Sequence, residues 1–136
     1  MSVTLSTACP GTEQFIAMRA ACGWGEISED MAERALGQAV ATVTAHDGET
    51  LIGFGRVVGD GALYFYVQDV IVAPSYRGQG IAFSIVTRLL DEIAPLTGPG
   101  ATIGLMAAKG VEPLYEKLGF LRRPTNRTGA GMTKLC

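Results

Sequence analysis

The chain has 136 residues, a length that suits one domain with one core, and the whole span 1–136 reads as a single domain. Hydrophobic residues make up 48% and charged residues 18%, which excludes a disordered chain. The formal net charge is −2 and no basic stripe stands out beyond Arg122–Arg123 and Arg127, so a nucleic-acid partner is not expected.

Membrane attachment is not expected either, because no apolar run approaches the roughly 20 residues that span a bilayer. The segment MSVTLSTACPG lacks a basic start followed by an apolar run, so no signal peptide is read. Cys9, Cys22 and Cys136 are odd in number and irregularly spaced, and His46 is the single histidine. Neither a disulfide framework nor a metal site is expected, and a reducing, cytoplasmic setting follows by default. Asn126–Arg127–Thr128 matches a glycosylation acceptor, which has no weight without a secretory signal.

Val3–Thr7 alternates as a short strand. Thr12 is read as the N-cap of a helix carrying Phe15, Ile16, Met18, Arg19 and Cys22 and ended by Gly23. Ser28 caps a second helix with Met31, Ala32, Ala35 and Leu36, ending at Gly37 or Gln38. Val40–Ala45 and Leu51–Val58 flank His46–Asp47–Gly48–Glu49 as a hairpin. Gly59–Asp60–Gly61 turns into Leu63–Val72, a long strand closed by Pro74.

From Gly80 the period changes. Ile81, Ile85 and Leu89 lie four apart, as do Ala82, Val86 and Leu90, giving an amphipathic helix that Pro95 closes. Thr102–Ala107 reads as a strand, and a short helix starts near Pro113 and stops at Gly119. Phe120–Leu121 and Met132–Leu135 are read as closing strands. The order is β-α-α-β-β-β-α-β-α-β-β, a mixed sheet of the α/β (α+β) class with helices packed on it.

The informative stretch is Val70-Ile71-Val72-Ala73-Pro74-Ser75-Tyr76-Arg77-Gly78-Gln79-Gly80-Ile81-Ala82. It is a buried strand, a tight glycine turn and the start of a long helix. Helix starts leave backbone N–H groups unpartnered, and the dipole there favours negative charge. Gly78 and Gly80 clear side chains from the approach, and Arg77 adds positive charge, which suits a phosphate or diphosphate. The alternative is a glycine turn that only reverses the chain. Phe83 stands where a dinucleotide fingerprint needs its third glycine, and no Gly-Lys-Ser/Thr follows, so neither of those phosphate motifs is present.

Arg77-x-x-Gly80-x-Ala82 resembles the [QR]-x-x-G-x-[GA] signature of the GNAT acetyltransferase superfamily. Pro113-Leu114-Tyr115-Glu116-Lys117-Leu118-Gly119-Phe120 resembles that family's Y-E-K-x-G-F segment downstream. The resemblance is strong from about residue 51 to 121 and rests on pattern alone before that. It implies a mixed, mostly antiparallel sheet of six to seven strands with about four helices. It also implies acetyl-CoA as cosubstrate, no metal, and transfer of the acetyl group to the primary amine of a small molecule or peptide.

Residue by residue, the resemblance implies that backbone groups of Val70, Ile71 and Val72 bind the pantetheine arm like an added strand. It implies that backbone N–H groups of Gly78, Gln79, Gly80, Ile81, Ala82 and Phe83 hold the diphosphate. The strands matching Leu63–Val72 and Thr102–Ala107 should splay around the thioester, and Tyr115 should protonate the departing thiolate. A backbone N–H such as that of Ile71 would serve the developing oxyanion. Transfer from tyrosine at about pKa 10 to a thiolate at about 8.5 is uphill by roughly 2 kcal/mol, and freeing an amine at about 10.4 costs roughly 4.6 kcal/mol at pH 7, so a base is required.

That base is open. Thr102–Ala107 carries no acid, unlike some relatives, and Ala108 and Lys109 replace an asparagine often found there. Asp69, as base or amine anchor, Glu112 and His46 are the candidates, each with a structural alternative: a satisfied strand residue, a helix-start acid and a solvated turn residue. Tyr115 has the alternative of a core tyrosine. Gly53 and Gly55 share one strand face, either for close helix packing or for substrate space. Trp24, Tyr64 and Tyr66 either line an amine pocket or pack in the core. A CoA-binding sensor domain without turnover is the rival function, an unrelated phosphate-binding α/β protein a third, and a homodimer is a candidate assembly through the C-terminal strands.

Overall fold

The computed structural model describes residues 2–136. In chain order the elements are β1 Val3–Ser6, α1 Thr12–Ala21, α2 Glu29–Gly37, β2 Ala41–Asp47, β3 Thr50–Gly59, β4 Tyr64–Val72, a 3₁₀ turn Pro74–Tyr76, α3 Ile81–Ile93, β5 Thr102–Gly104 and α4 Glu112–Glu116. The strands form one five-stranded sheet in sequence order. β1 to β4 pair antiparallel, and β5 joins β4 in parallel. No helix among the described residues is long and apolar enough to cross a membrane.

The sheet is covered on both faces: α3 does so with the stripe the sequence spacing predicts, α1 and α2 with only part of theirs, since Met31 is exposed and α1 fully buries Phe15 alone. α3 buries Ile81, Ile85, Val86, Leu89 and Ile93, and most of these join Val43, Ala45, Val57, Phe65 and Val67 in the larger core. α1 and α2 cover the opposite side through Phe15, Ala32 and Leu36, packed with Phe54. The Phe15 and Phe54 rings meet edge to face at 5.5 Å.

Local chemistry sets the ends. Ser28 Oγ accepts the Met31 N–H at 3.1 Å and so caps α2. At α1 the cap is Gly11, not Thr12: Gln14 Oε1 reaches back to the Gly11 N–H at 3.0 Å, which moves the boundary one residue upstream. Asp60 Oδ1 accepts the N–H groups of Ala62, Leu63 and Tyr64 at 2.9, 2.8 and 3.0 Å, fixing the β3–β4 turn. These donors hold the Asp60 carboxyl below the usual carboxylate range.

Gly53 and Gly55 serve close packing. A β-carbon on Gly53 would lie 2.9 Å from Ile85 Cδ1, and one on Gly55 would lie 2.8 Å from Ile85 Cγ2. α3 therefore rests directly on the β3 backbone, and no substrate space opens there.

The C-terminal third departs from the pattern reading. β5 stops at Gly104, so Leu105–Ala107 is not strand, and neither Phe120–Leu121 nor Met132–Leu135 is a strand. Alternation marks a strand only where an edge and a core receive it. Here the chain folds on itself instead: Arg123 Nε donates to the Gly129 carbonyl at 2.6 Å, and the Thr125 N–H bonds the Thr128 carbonyl at 2.9 Å. Leu121, Met132 and Leu135 remain 84%, 89% and 88% exposed, so no apolar burial repays ordering them.

Candidate active site

The parallel ladder between β4 and β5 covers only Tyr64↔Thr102, Phe65↔Ile103 and Tyr66↔Gly104. Beyond Tyr66, β4 runs on to Val72 with β3 alone as its partner. One edge of β4 is thus open, in the splayed arrangement that the resemblance implies.

Strand alternation tells which groups face that opening. The Ala73 N–H donates to the Ile52 carbonyl at 2.8 Å, and Ile71 stands opposite Phe54 two residues back. The Ile71 N–H and C=O therefore face β3, while the Val70 carbonyl and the Val72 N–H and carbonyl face the opening. Ile71 is thus not the oxyanion donor that the sequence suggested; the Val72 N–H points the right way. The Ile71 side chain is 3% exposed and belongs to the core.

The loop after β4 meets the opening at one end. Gly78 and Gly80 have φ of 77° and 80°, a left-handed backbone that other residues adopt with strain, and no atom lies near where their side chains would start. Gly80 is the N-cap of α3, with no capping side chain and no acid in the first turn. The backbone N–H groups of Gly78, Gln79, Gly80, Ile81, Ala82 and Phe83 have no acceptor among the described residues. Two contacts brace this loop: Arg77 Nε donates to the Val72 carbonyl at 3.0 Å, and the Tyr76 hydroxyl donates to Asp47 Oδ2 at 2.7 Å. The first draws the Arg77 guanidinium to the end of β4 and occupies one acceptor on the open edge. Ile81 is 7% exposed, so its side chain is core and only its backbone is available.

Asp69 sits at a bulge. Phe54 pairs with Ile71 and Arg56 with Gln68, so Gly55 alone faces Asp69 and Val70. Asp69 has φ 55° and is 2% exposed. Arg19 Nη1 donates to its Oδ1 at 2.5 Å, Arg56 Nε to its Oδ2 at 2.7 Å, and Gln68 Nε2 to Oδ1 at 3.2 Å. Both oxygens are engaged by cations, so Asp69 is placed neither to take a proton from an amine nor to anchor an ammonium. Its role is to join α1, β3 and β4. Sequence reading placed Arg19 on the first helix but missed that Arg19 and Arg56 pair with Asp69, since a lone arginine on a helix or strand carries no local sign of a partner 50 or 13 residues away. Trp24 stands over Arg19, 5.6 Å from guanidinium carbon to ring centre, and is 40% exposed, so it stacks on a cation already paired.

Tyr115 lies on α4, half-buried, its ring edge-on to Phe120 at 5.9 Å. Its hydroxyl makes no hydrogen bond among the described residues, and burial pushes its phenol above the ordinary tyrosine range. It lines a groove of about 1350 Å³ between β5, α4 and the C-terminal segment, together with Leu105, Met106 and Arg127.

Glu112 begins α4 in solvent, where Oε1 accepts the Gly110 N–H at 2.7 Å. Its own backbone N–H and that of Gly110 hold its carboxyl below the usual range, which makes it a poor base and a good helix-start acid. His46 lies within β2 opposite Leu51, not in the turn. Tyr64 is 60% exposed at the start of β4. Among the described residues no three His, Cys, Asp or Glu side chains cluster to hold a metal.

Known proteins share the fold and the family pattern. The GNAT acetyltransferase domain family matches residues 15–134. An uncharacterized N-acetyltransferase of Pyropia yezoensis is 29% identical over 79 residues, 58% of this chain and 44% of that protein. The chloroplastic GCN5-related N-acetyltransferase 2 of Arabidopsis thaliana is 34% identical over 79 residues, 58% of this chain and 30% of that protein. The chain thus spans less than half the length of these two relatives. Among solved structures, a protein of unknown function from meticillin-resistant Staphylococcus aureus superposes with a TM-score of 0.89 at 32% identity, over 99% of this chain and 100% of that one. A GNAT family acetyltransferase of Streptococcus pneumoniae gives 0.82 at 28% identity, over 99% and 98%. With a family match from Phe15 to Lys134, the chain belongs to the GNAT acetyltransferases.

Proposed function

We propose that the chain moves the acetyl group of acetyl-CoA to the primary amine of a small molecule or peptide, with both substrates bound at once. The observation that carries this reading is the run of unspent backbone N–H groups from Gly78 to Phe83, set at the open edge of β4. A diphosphate would satisfy these donors and meet the positive end of α3. The exposed edge of β4 would accept the amide-bearing pantetheine arm through the Val70 carbonyl and the Val72 N–H.

Acetyl-CoA supplies an activated carbonyl. The amine nitrogen attacks the carbonyl carbon, a C–N bond forms and the C–S bond breaks. The Val72 N–H would stabilise negative charge on the carbonyl oxygen. Tyr115 would protonate the leaving thiolate and recover its proton from solvent. The proton lost by the amine would pass to water, because both oxygens of Asp69 are engaged, Glu112 is a weakened base and His46 lies on β2, two strands from β4.

The engagement of Asp69, the one acid near the open edge of β4 that the sequence offered as base, by Arg19 and Arg56 also favours a second reading: a domain that binds CoA without efficient turnover. Thiol release from acetyl-CoA, followed with a panel of small amines, polyamines and peptides, separates the two. Steady release with any acceptor supports transfer; tight CoA binding with no release supports the sensor. Failure to bind CoA overturns both.

A further inference from the structure

From the Tyr76–Asp47 contact we infer that these two residues form a positioning clamp for the diphosphate loop, an inference that rests on the acetyl-CoA reading above. Tyr76 ends the 3₁₀ turn, directly before Arg77 and the two left-handed glycines. Its ring packs against the large core, and its hydroxyl donates to Asp47 Oδ2 at 2.7 Å. Asp47 is the last residue of β2, paired with Val3 on one side and Thr50 on the other. The loop is therefore tied to β2, two strands away from β4 in the sheet.

The clamp matters because the bonds of the 3₁₀ turn and of Arg77 to the Val72 carbonyl end at Arg77, and the N–H groups that follow have no acceptor among the described residues. Gly78 and Gly80 give the backbone its greatest freedom, and no side chain caps α3. Free amides bind an anion well only when they already converge on it; ordering them at the moment of binding costs affinity. A hydroxyl-to-carboxylate bond is among the stronger neutral-to-ion contacts, and it lies one residue from the binding segment. Tyr76 and Asp47 do not touch the cosubstrate in this scheme. They act through the loop.

The clamp and simple electrostatics predict opposite signs at one position. Removing the Asp47 carboxylate takes negative charge away from the neighbourhood of a diphosphate site, which by charge alone tightens CoA. If the clamp operates, the loss of its acceptor weakens CoA instead. Asp47→Asn removes the charge and keeps an oxygen that can accept from Tyr76.

The test is calorimetric affinity for CoA and for pantetheine, which lacks the diphosphate. The proteins are wild type, Tyr76→Phe, Asp47→Ala and Asp47→Asn, each checked for folding by its melting curve. Expected is a loss of about tenfold for CoA in Tyr76→Phe and Asp47→Ala, a near-native value in Asp47→Asn, and unchanged pantetheine affinity in all. CoA affinity unchanged or tightened in Asp47→Ala overturns the clamp, as does an equal loss for pantetheine, which would show general damage to the fold. A wild-type protein that binds pantetheine but gains nothing from the diphosphate overturns it too. A wild-type protein that binds neither overturns the acetyl-CoA reading, and the clamp with it.

Discussion

Arg56 donates through Nε to Asp69 Oδ2 at 2.7 Å, and the contact spans the point where β3 and β4 fall out of register. Asp69 holds a left-handed φ of 55° there, a conformation that Asp and Asn tolerate better than most residues. With Arg19 on the other oxygen, one buried carboxylate fastens α1 and β3 to the bulged strand. The bulge shifts the register of β4 just before its open-edged end, so this ion pair fastens the strand where that end begins.

Asp69→Asn should therefore behave as a stability mutation. It keeps the backbone preference and volume but leaves two largely buried guanidinium groups without a countercharge. Breaking a buried pair in this way costs about 3–5 kcal/mol, which urea unfolding would read as a lower midpoint at unchanged slope. If the folded protein turns over, the acid limb of its pH–rate profile should match that of the wild type. A shifted or missing limb would show that Asp69 is the base after all.

Gly55→Ala should destabilise without changing chemistry. A β-carbon there meets Ile85 Cγ2 at 2.8 Å and Leu89 Cδ1 at 3.0 Å, so α3 must lift from β3. Overpacking of this kind costs about 1–3 kcal/mol. Gly59→Ala should cost more: its β-carbon would fall 2.1 Å from the rigid Tyr64 carbonyl oxygen, at φ 148°. Paired melting curves rank the two, and equal stability of both variants with wild type would contradict the packing.

What the sequence showed and what it hid follow from the range of each signal. The α3 stripe, the β2–β3 hairpin and the glycines before α3 are local patterns, and each is present in the structure at nearly the expected place. Arg19 and Arg56 were hidden because their meaning lies in a partner far along the chain. Ile71 was misjudged because the direction of a backbone N–H depends on strand pairing, which side-chain pattern does not report. Met132–Leu135 was read as a closing strand, yet Met132 and Leu135 are almost fully exposed, and a short apolar-flanked segment without a receiving edge does not make one.

The glycines before α3 should respond in binding more than in stability. At Gly80 a β-carbon meets no atom, so Gly80→Ala carries only the left-handed backbone penalty of about 1–2 kcal/mol. Relief of that strain rotates the amides that α3 presents. CoA affinity should fall by more than the melting shift accounts for, and calorimetry beside a melting curve measures both. Native CoA affinity in a folded Gly80→Ala protein would remove these amides from the binding site.

Tyr115→Phe should separate binding from chemistry. The hydroxyl has no hydrogen-bond partner among the described residues, so its loss leaves no group unpaired, and the ring can keep its contact with Phe120. If Tyr115 protonates the thiolate, turnover should fall by about 10²-fold, a common size for a lost general acid, while CoA affinity stays within about twofold. Burial raises the phenol above its ordinary value of about 10, so the acid stays protonated through the neutral range and the alkaline limb of wild-type turnover lies above that value. The same shift fixes the sign for stability. The folded state favours the neutral phenol, so this contribution is complete below the unfolded value of about 10 and is lost as pH rises through the higher folded value. Wild type should therefore lose more stability than Tyr115→Phe across that window. Unchanged turnover in Tyr115→Phe would leave the thiolate to be protonated by water and return Tyr115 to a packing role.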